Sequence, residues 1–259
     1  MKKLLFAIPA LMLVLTACVQ PVGDITPGNL EVMAYGDGTK VKLTWEPPVD
    51  EIDGYILYFG NTCLDTIAPT ITSYIHDPEG NVGVYKLYGY KGDSISEPVT
   101  VSIEPVVSTN ITIYEFNNSA GNSGLGFNDQ FQASSYPVTG TNPQENVDFY
   151  YTNWAPGFSG EDTYIASADQ IANDPGRITA PTTGWRVNKI KKTSPINGIV
   201  TEPDLEKDFA IENATYCIKI TRTNAVHYGT LKLGGVSNAM TTVVEAKIQK
   251  VPGLKVIGR

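Results

Sequence analysis

The chain has 259 residues, with 19 Lys and Arg against 27 Asp and Glu and a formal net charge of −8. An acidic chain of this kind does not track a phosphate backbone, so nucleic acid is excluded as a partner on electrostatic grounds. The length provides for two domains of ordinary size, and three cysteines are too few for a disulfide scaffold.

The N-terminus comes first. Met1-Lys2-Lys3 is positive, and residues 4–15 are apolar apart from Pro9. About a dozen apolar residues suit the core of a signal peptide and fall short of the ~20 that span a bilayer. Thr16 and Ala17 are small, and Cys18 follows them. An ordinary secretory signal with an incidental cysteine would carry the same core. The small residues directly before Cys18 favour lipidation, because Leu15-Thr16-Ala17-Cys18 resembles the lipobox of bacterial lipoproteins. That resemblance implies a signal peptide over 1–17, acylation of Cys18 as the new N-terminus, and membrane attachment through lipid. Val19, not an aspartate, follows the cysteine, which by the same resemblance implies the outer membrane or cell surface. Loss of Lys2 and Lys3 leaves 17 basic against 27 acidic side chains, a net of −10. Residues 18–27 then read as a lipidated tether rich in Pro, Gly and polar residues.

Residues 28–104 form the first unit. Asn29-Leu30-Glu31-Val32 alternates, and so does Lys40-Val41-Lys42-Leu43-Thr44-Trp45, which stops at Glu46-Pro47-Pro48. Residues 54–59, 84–88 and 99–103 are further strands, and this spacing indicates a sandwich. KVKLTWEPP, DGYILYF and YKLYGYKGDSISEPVTVSI together resemble a fibronectin type III domain. The resemblance places Trp45, Tyr55 and Tyr85 at its core aromatic positions and implies a spacer or interaction module. Residues 60–80, with Cys63 and His76, match it less well.

Residues 105–109 read as a short linker, and residues 110–252 as a second, larger unit. Strands are expected at 111–116, 127–131, 147–151, 164–166, 185–190, 215–220, 227–233 and 242–248. Residues 166–174 have room for one short helix. No stretch carries the helical apolar period over two turns. The fold class is therefore all-β: two β-sandwiches, the second jelly-roll-like. Residues 214–220, 227–233 and 243–249 resemble the closing strands of secreted bacterial β-domains, including the haem-carrier lipoproteins called HmuY. His76 and His227 are the only histidines and lie in different units, so a bis-histidine haem site in the second is not expected.

No catalytic motif and no metal-ligand spacing is legible, and no cofactor is expected. The acidic pairs Glu145 with Asp148, Glu161 with Asp162, and Asp204 with Glu206 read as solvated surface; a glycosidase cleft or a calcium site is the competing reading. Cys63 and Cys217 read as buried free thiols, with a disulfide between them as the alternative that an oxidising compartment permits. The best binding candidate is the aromatic stretch from Asp148 to Phe158. Tyr151, Trp154 and Trp185, with Tyr136 or Tyr164, would form a stacking platform for sugar rings. Core packing of Phe149, Tyr151 and Trp185 is the alternative, although alternation sends Tyr150 to the opposite face. The expected role is a non-catalytic binding or presentation module of the cell envelope. Its partner would be a polysaccharide or an envelope protein. A glycan-acting hydrolase component or a purely structural protein stands as the alternative.

Overall fold

The computed structural model describes residues 24–154, 162–174 and 180–259. Cys18 and the leader lie outside the described residues, as do 155–158 of the aromatic stretch. The described chain is an all-β sandwich fold of antiparallel sheets.

The first eight strands are β1 (Gly28–Tyr35), β2 (Lys40–Glu46), β3 (Gly54–Phe59), β4 (Thr62–Ile67), β5 (Ser73–His76), β6 (Val84–Lys91), β7 (Ser94–Ile95) and β8 (Val99–Ser102). One sheet runs β1-β2-β5, and the other runs β4-β3-β6-β7 with β8 also on β6. Successive strand residues point to opposite faces, so Val41, Leu43 and Trp45 of β2 meet Tyr55 and Leu57 of β3 and Tyr85 and Leu87 of β6 in one core. β4 and β5 occupy the stretch where the sequence pattern is weakest. Most of their side chains are exposed, which removes the apolar alternation that would announce them.

Ten strands follow: β9 (Val106–Tyr114), β10 (Gly124–Phe127), β11 (Ala133–Tyr136), β12 (Phe149–Thr152), β13 (Tyr164–Ser167), β14 (Lys189–Lys192), β15 (Lys207–Phe209), β16 (Thr215–Arg222), β17 (Ala225–Val236) and β18 (Met240–Ile248). They form two five-stranded sheets, β11-β10-β12-β13-β15 and β14-β16-β17-β18-β9, around a second core. The residues read as a linker at 105–109 are strand from Val106 onward, because Val106 pairs with Ile248 and Thr109 with Glu245. The strand expected at 127–131 lies at Gly124–Phe127 instead, since the chain turns back through an Asn128–Gln132 hydrogen bond. The short helix near 166–174 is a 3-10 helix, Ala168–Asn173.

Both sheets of this second unit are covered on their outer faces. Tyr150 and Ala166 pack outward beneath a layer made of Val138, Val147, Ile171, Ala180 and Trp185. On the far sheet, Cys217 and Tyr228 pack outward beneath Val200 and Ile257. Cys63 departs from expectation. It is exposed on β4, Cys217 is buried, and no disulfide joins them.

The last ten residues do not belong to the second core. Val251, Leu254 and Val256 are buried in the first one. Gln249, fully buried, donates from Nε2 to the carbonyls of Ile103 (2.9 Å) and Val256 (2.7 Å), so one side chain joins the end of the first unit to the end of the chain. The unit read as closing at 252 therefore sends its terminus back as a strap. Gly38, at φ +88°, admits the strap closely: a Cβ there would lie 2.2 Å from the Gly253 carbonyl oxygen.

Candidate functional site

The structure does not gather the predicted aromatics into one exposed platform. Tyr151 faces the inner core of the second unit and donates its hydroxyl to the Ser237 carbonyl at 2.5 Å. Trp185 is buried on the opposite side of the same sheet, where its indole donates to the Pro181 carbonyl at 2.8 Å. Strand alternation separates them: Tyr151 and Tyr150 are neighbours on β12 and point to opposite faces. Trp154 is half-buried, with the Lys207 ammonium 5.4 Å from its ring centre. Tyr164 is buried, and Tyr136 packs half-buried on the outer layer.

Of the acidic pairs, Glu161 with Asp162 is incomplete, because Glu161 lies outside the described residues. Asp204 and Glu206 carry surface ion pairs to Lys191 and Lys189. Asp148 is instead fully buried and anchors the outer layer. Its carboxylate accepts from both Arg222 nitrogens (2.5 and 2.7 Å), from Arg186 (3.2 Å) and from the Phe127 amide (2.9 Å). Asn188 donates to the Asp148 carbonyl and carboxylate and accepts from the Thr221 amide, so three separated segments converge there. A bidentate, charge-assisted cluster of this kind sets register. Every oxygen of it is occupied by protein donors, so it joins chain segments.

The candidate site lies at the end of the sandwich where β9 turns into β10. There an open cavity of about 380 Å³ is lined by Phe116, Asn117, Asn118, Ser119, Asn122 and Thr139, with Ser123 and residues 137–138 completing the wall. None of these lining side chains is charged. The loop is held from beneath. The buried Glu115 carboxylate accepts from the Asn117 amide at 2.8 Å and from the Asn153 amide at 3.4 Å, joining the cavity loop to the residue before Trp154. Asn122 donates to the Ser135 carbonyl at 3.2 Å. The Phe116 ring sits edge-on to Tyr150 at 5.5 Å.

Tyr150 links the cavity to a second buried carboxylate. Its hydroxyl donates to Asp174 at 3.1 Å, and Thr152 donates to the same oxygen at 2.8 Å. Burial, then the Asp174 charge, pushes the Tyr150 phenol far above its ordinary range. Trp154 closes this group through its amide, which donates to Thr152. The sequence singled out Trp154, which lies at the margin of this region. It missed Phe116, Asn118 and Asn122. The Asn-Asn-Ser run at 117–119 was the available signal, and it stood between two strands with nothing to distinguish it from a turn.

Both histidines serve packing. His76 shares a 2.7 Å hydrogen bond with the Tyr85 hydroxyl, and His227 one of 3.0 Å with the Gln249 carbonyl. Among the described residues, no group of three or more His, Cys, Asp or Glu side chains is placed to hold a metal ion. No helix among them is long and apolar enough to cross a membrane.

No family model matches the chain. No curated protein matches it either. Among solved structures, a computer-redesigned β-sandwich protein is similar to part of it, at 26% identity over 30% of this chain and 89% of its own, with a TM-score of 0.27.

Proposed function

We propose that the chain is a non-catalytic lipoprotein of the bacterial cell envelope, anchored through Cys18, that binds a neutral, hydroxyl-rich ligand such as a polysaccharide in the Phe116–Asn122 cavity. The carrying observation is the lining of that cavity. Side-chain amides and hydroxyls, which both donate and accept, surround one aromatic ring and no charge. Sugar hydroxyls need such two-way partners, and a pyranose C–H face packs on a ring. The buried carboxylates Glu115 and Asp174 are engaged by backbone, tyrosine and threonine donors, which suits a rigid support for a binding loop. The strand order β1-β2-β5 against β4-β3-β6-β7 supports reading the first unit as fibronectin type III-like, with a spacer's role.

Native gels cast with a panel of envelope and plant polysaccharides test the cavity. The reading expects one glycan to retard the protein, and Phe116→Ala or Asn118→Ala to restore its mobility, while Trp185→Phe leaves retardation unchanged. Uniform mobility across the panel contradicts it.

A further inference from the structure

A second cavity lies on the outer face of the sheet β14-β16-β17-β18-β9. Its volume is about 210 Å³. Pockets for drug-sized molecules run to roughly 300–1,000 Å³, so this one suits a single small group. Thr215 of β16, Thr230 of β17, and Glu245 and Lys247 of β18 form the floor. Strand register assembles it: Thr230 pairs with Cys217 and Lys247, and Lys232 pairs with Thr215 and Glu245. Val200 and Ile257 cover Cys217 and Tyr228 on the same face. Two residues further along each strand, at Thr215 and Thr230, the floor turns polar.

The walls are Pro195, Gly198 and the end of the strap, Ile257 to Arg259. They are held where the two units meet. The Ile257 amide donates to the Gly198 carbonyl at 2.8 Å. Gly198 has φ +79°, and a Cβ there would lie 2.3 Å from the Gly80 carbonyl oxygen, so the turn abuts the first unit. Arg259 donates to the Glu79 carbonyl at 2.8 Å, which directs its charge to the first unit. A cavity built this way needs little ordering when a ligand enters.

Thr230 is the anomaly. It is only 5% exposed, and its hydroxyl lines the cavity with no hydrogen-bond partner among the described residues. Buried side-chain polar atoms nearly always have one, and valine has the same branched shape without the hydroxyl. Beside it, Glu245 and Lys247 pair at 3.1 Å. That contact uses one ammonium proton and one carboxylate site, leaving about two donors and three acceptor sites.

We infer that this cavity binds one ring of a neutral sugar. The threonine hydroxyls both donate and accept, Lys247 donates and Glu245 accepts, so ligand hydroxyls meet both kinds of partner without breaking the ion pair. Ring C–H groups lie on Pro195 and Ile257. A carboxylate or amine on the ligand has to displace Glu245 or Lys247, or add a charge that nothing in the cavity balances. The inference does not rest on the cavity at Phe116, which another part of the fold builds.

The test uses the full chain labelled with ¹⁵N. The probes are the methyl pyranosides of glucose, galactose, mannose and N-acetylglucosamine, with methyl glucuronide and methyl glucosaminide as the charged controls. The expected result is a saturable shift of the Thr230, Gly198 and Gly258 amide signals with a neutral glycoside, and weaker binding of both charged sugars. Thr230→Val should weaken that binding about fivefold, the loss of one neutral hydrogen bond, while the unliganded variant unfolds at the same or a higher temperature. No saturable shift with any neutral glycoside, equal or tighter binding of a charged one, or undiminished binding by Thr230→Val overturns the proposal. Shifts confined to residues 116–122 also overturn it, and assign the sugar to the other cavity alone.

Discussion

Asp148 shows how one residue can be read correctly as an acid and wrongly as surface. Its partners, Arg186 and Arg222, lie 38 and 74 positions along the chain, and nothing in local spacing announces them. Removing one member of a buried pair leaves an uncompensated charge. Asp148→Asn should therefore cost about 3 kcal/mol, near the lower end of that class because both arginines keep partial solvent contact. The urea unfolding midpoint checks this, and Arg186→Lys should cost less because Arg222 retains its two bonds.

The histidines give a second prediction at this scale. Burial lowers the pKa of His227, and of His76, below the ordinary value of 6.5. The folded state thus prefers the neutral rings. The stability they contribute is present above pH 6.5 and is lost as pH falls toward the depressed folded values. Thermal unfolding followed from pH 7.5 to 5 should show a falling midpoint, with a shallower fall in His227→Gln. Glu202 behaves oppositely to its burial. Burial alone would raise it, but hydrogen bonds from Lys219, Lys255 and Tyr228 hold it below its usual value, so its contribution fades only at still lower pH.

At the scale of elements, strands with one buried face were legible and strands without one were not. β2 and β6 alternate cleanly because one face meets the core. β12 and β13 are buried on every residue because the outer layer covers the second face, so periodicity cannot tell which aromatic is inside. That is why Tyr151 and Trp185 suggested a platform when two cores had claimed them. The strap was illegible for a related reason. Val251, Leu254 and Val256 are apolar side chains whose pocket is assembled by strands about 200 positions earlier. Leu254 is fully buried there. Leu254→Ala should cost about 3 kcal/mol, as for other buried leucines. Hydrogen exchange should then show lost protection in β1 and β2 as well as at the C-terminus. Protection lost only near residue 254 would contradict the strap.

For the whole molecule, the chain path sets direction. Residues 24–27 begin at the end of the first unit that bears the β2–β3 loop. The strap and β9 join the units at the opposite end, and β9 leads away to the loop holding Phe116. A lipid at Cys18 would lie at most about 20 Å of extended chain from Asp24, placing the Phe116 cavity at the far end from the membrane. Gly38→Val should disturb this arrangement by obstructing the strap, lowering the cooperativity of unfolding measured by calorimetry.

Anchoring through Cys18 is the claim on which this arrangement depends, and the mass of the N-terminal peptide tests it most directly. Protein extracted from the membrane fraction of a bacterial host should begin at Cys18 and carry a diacylglyceryl group, and Cys18→Ser should move it to the soluble fraction. An unmodified cysteine, or cleavage at another bond, would contradict the account.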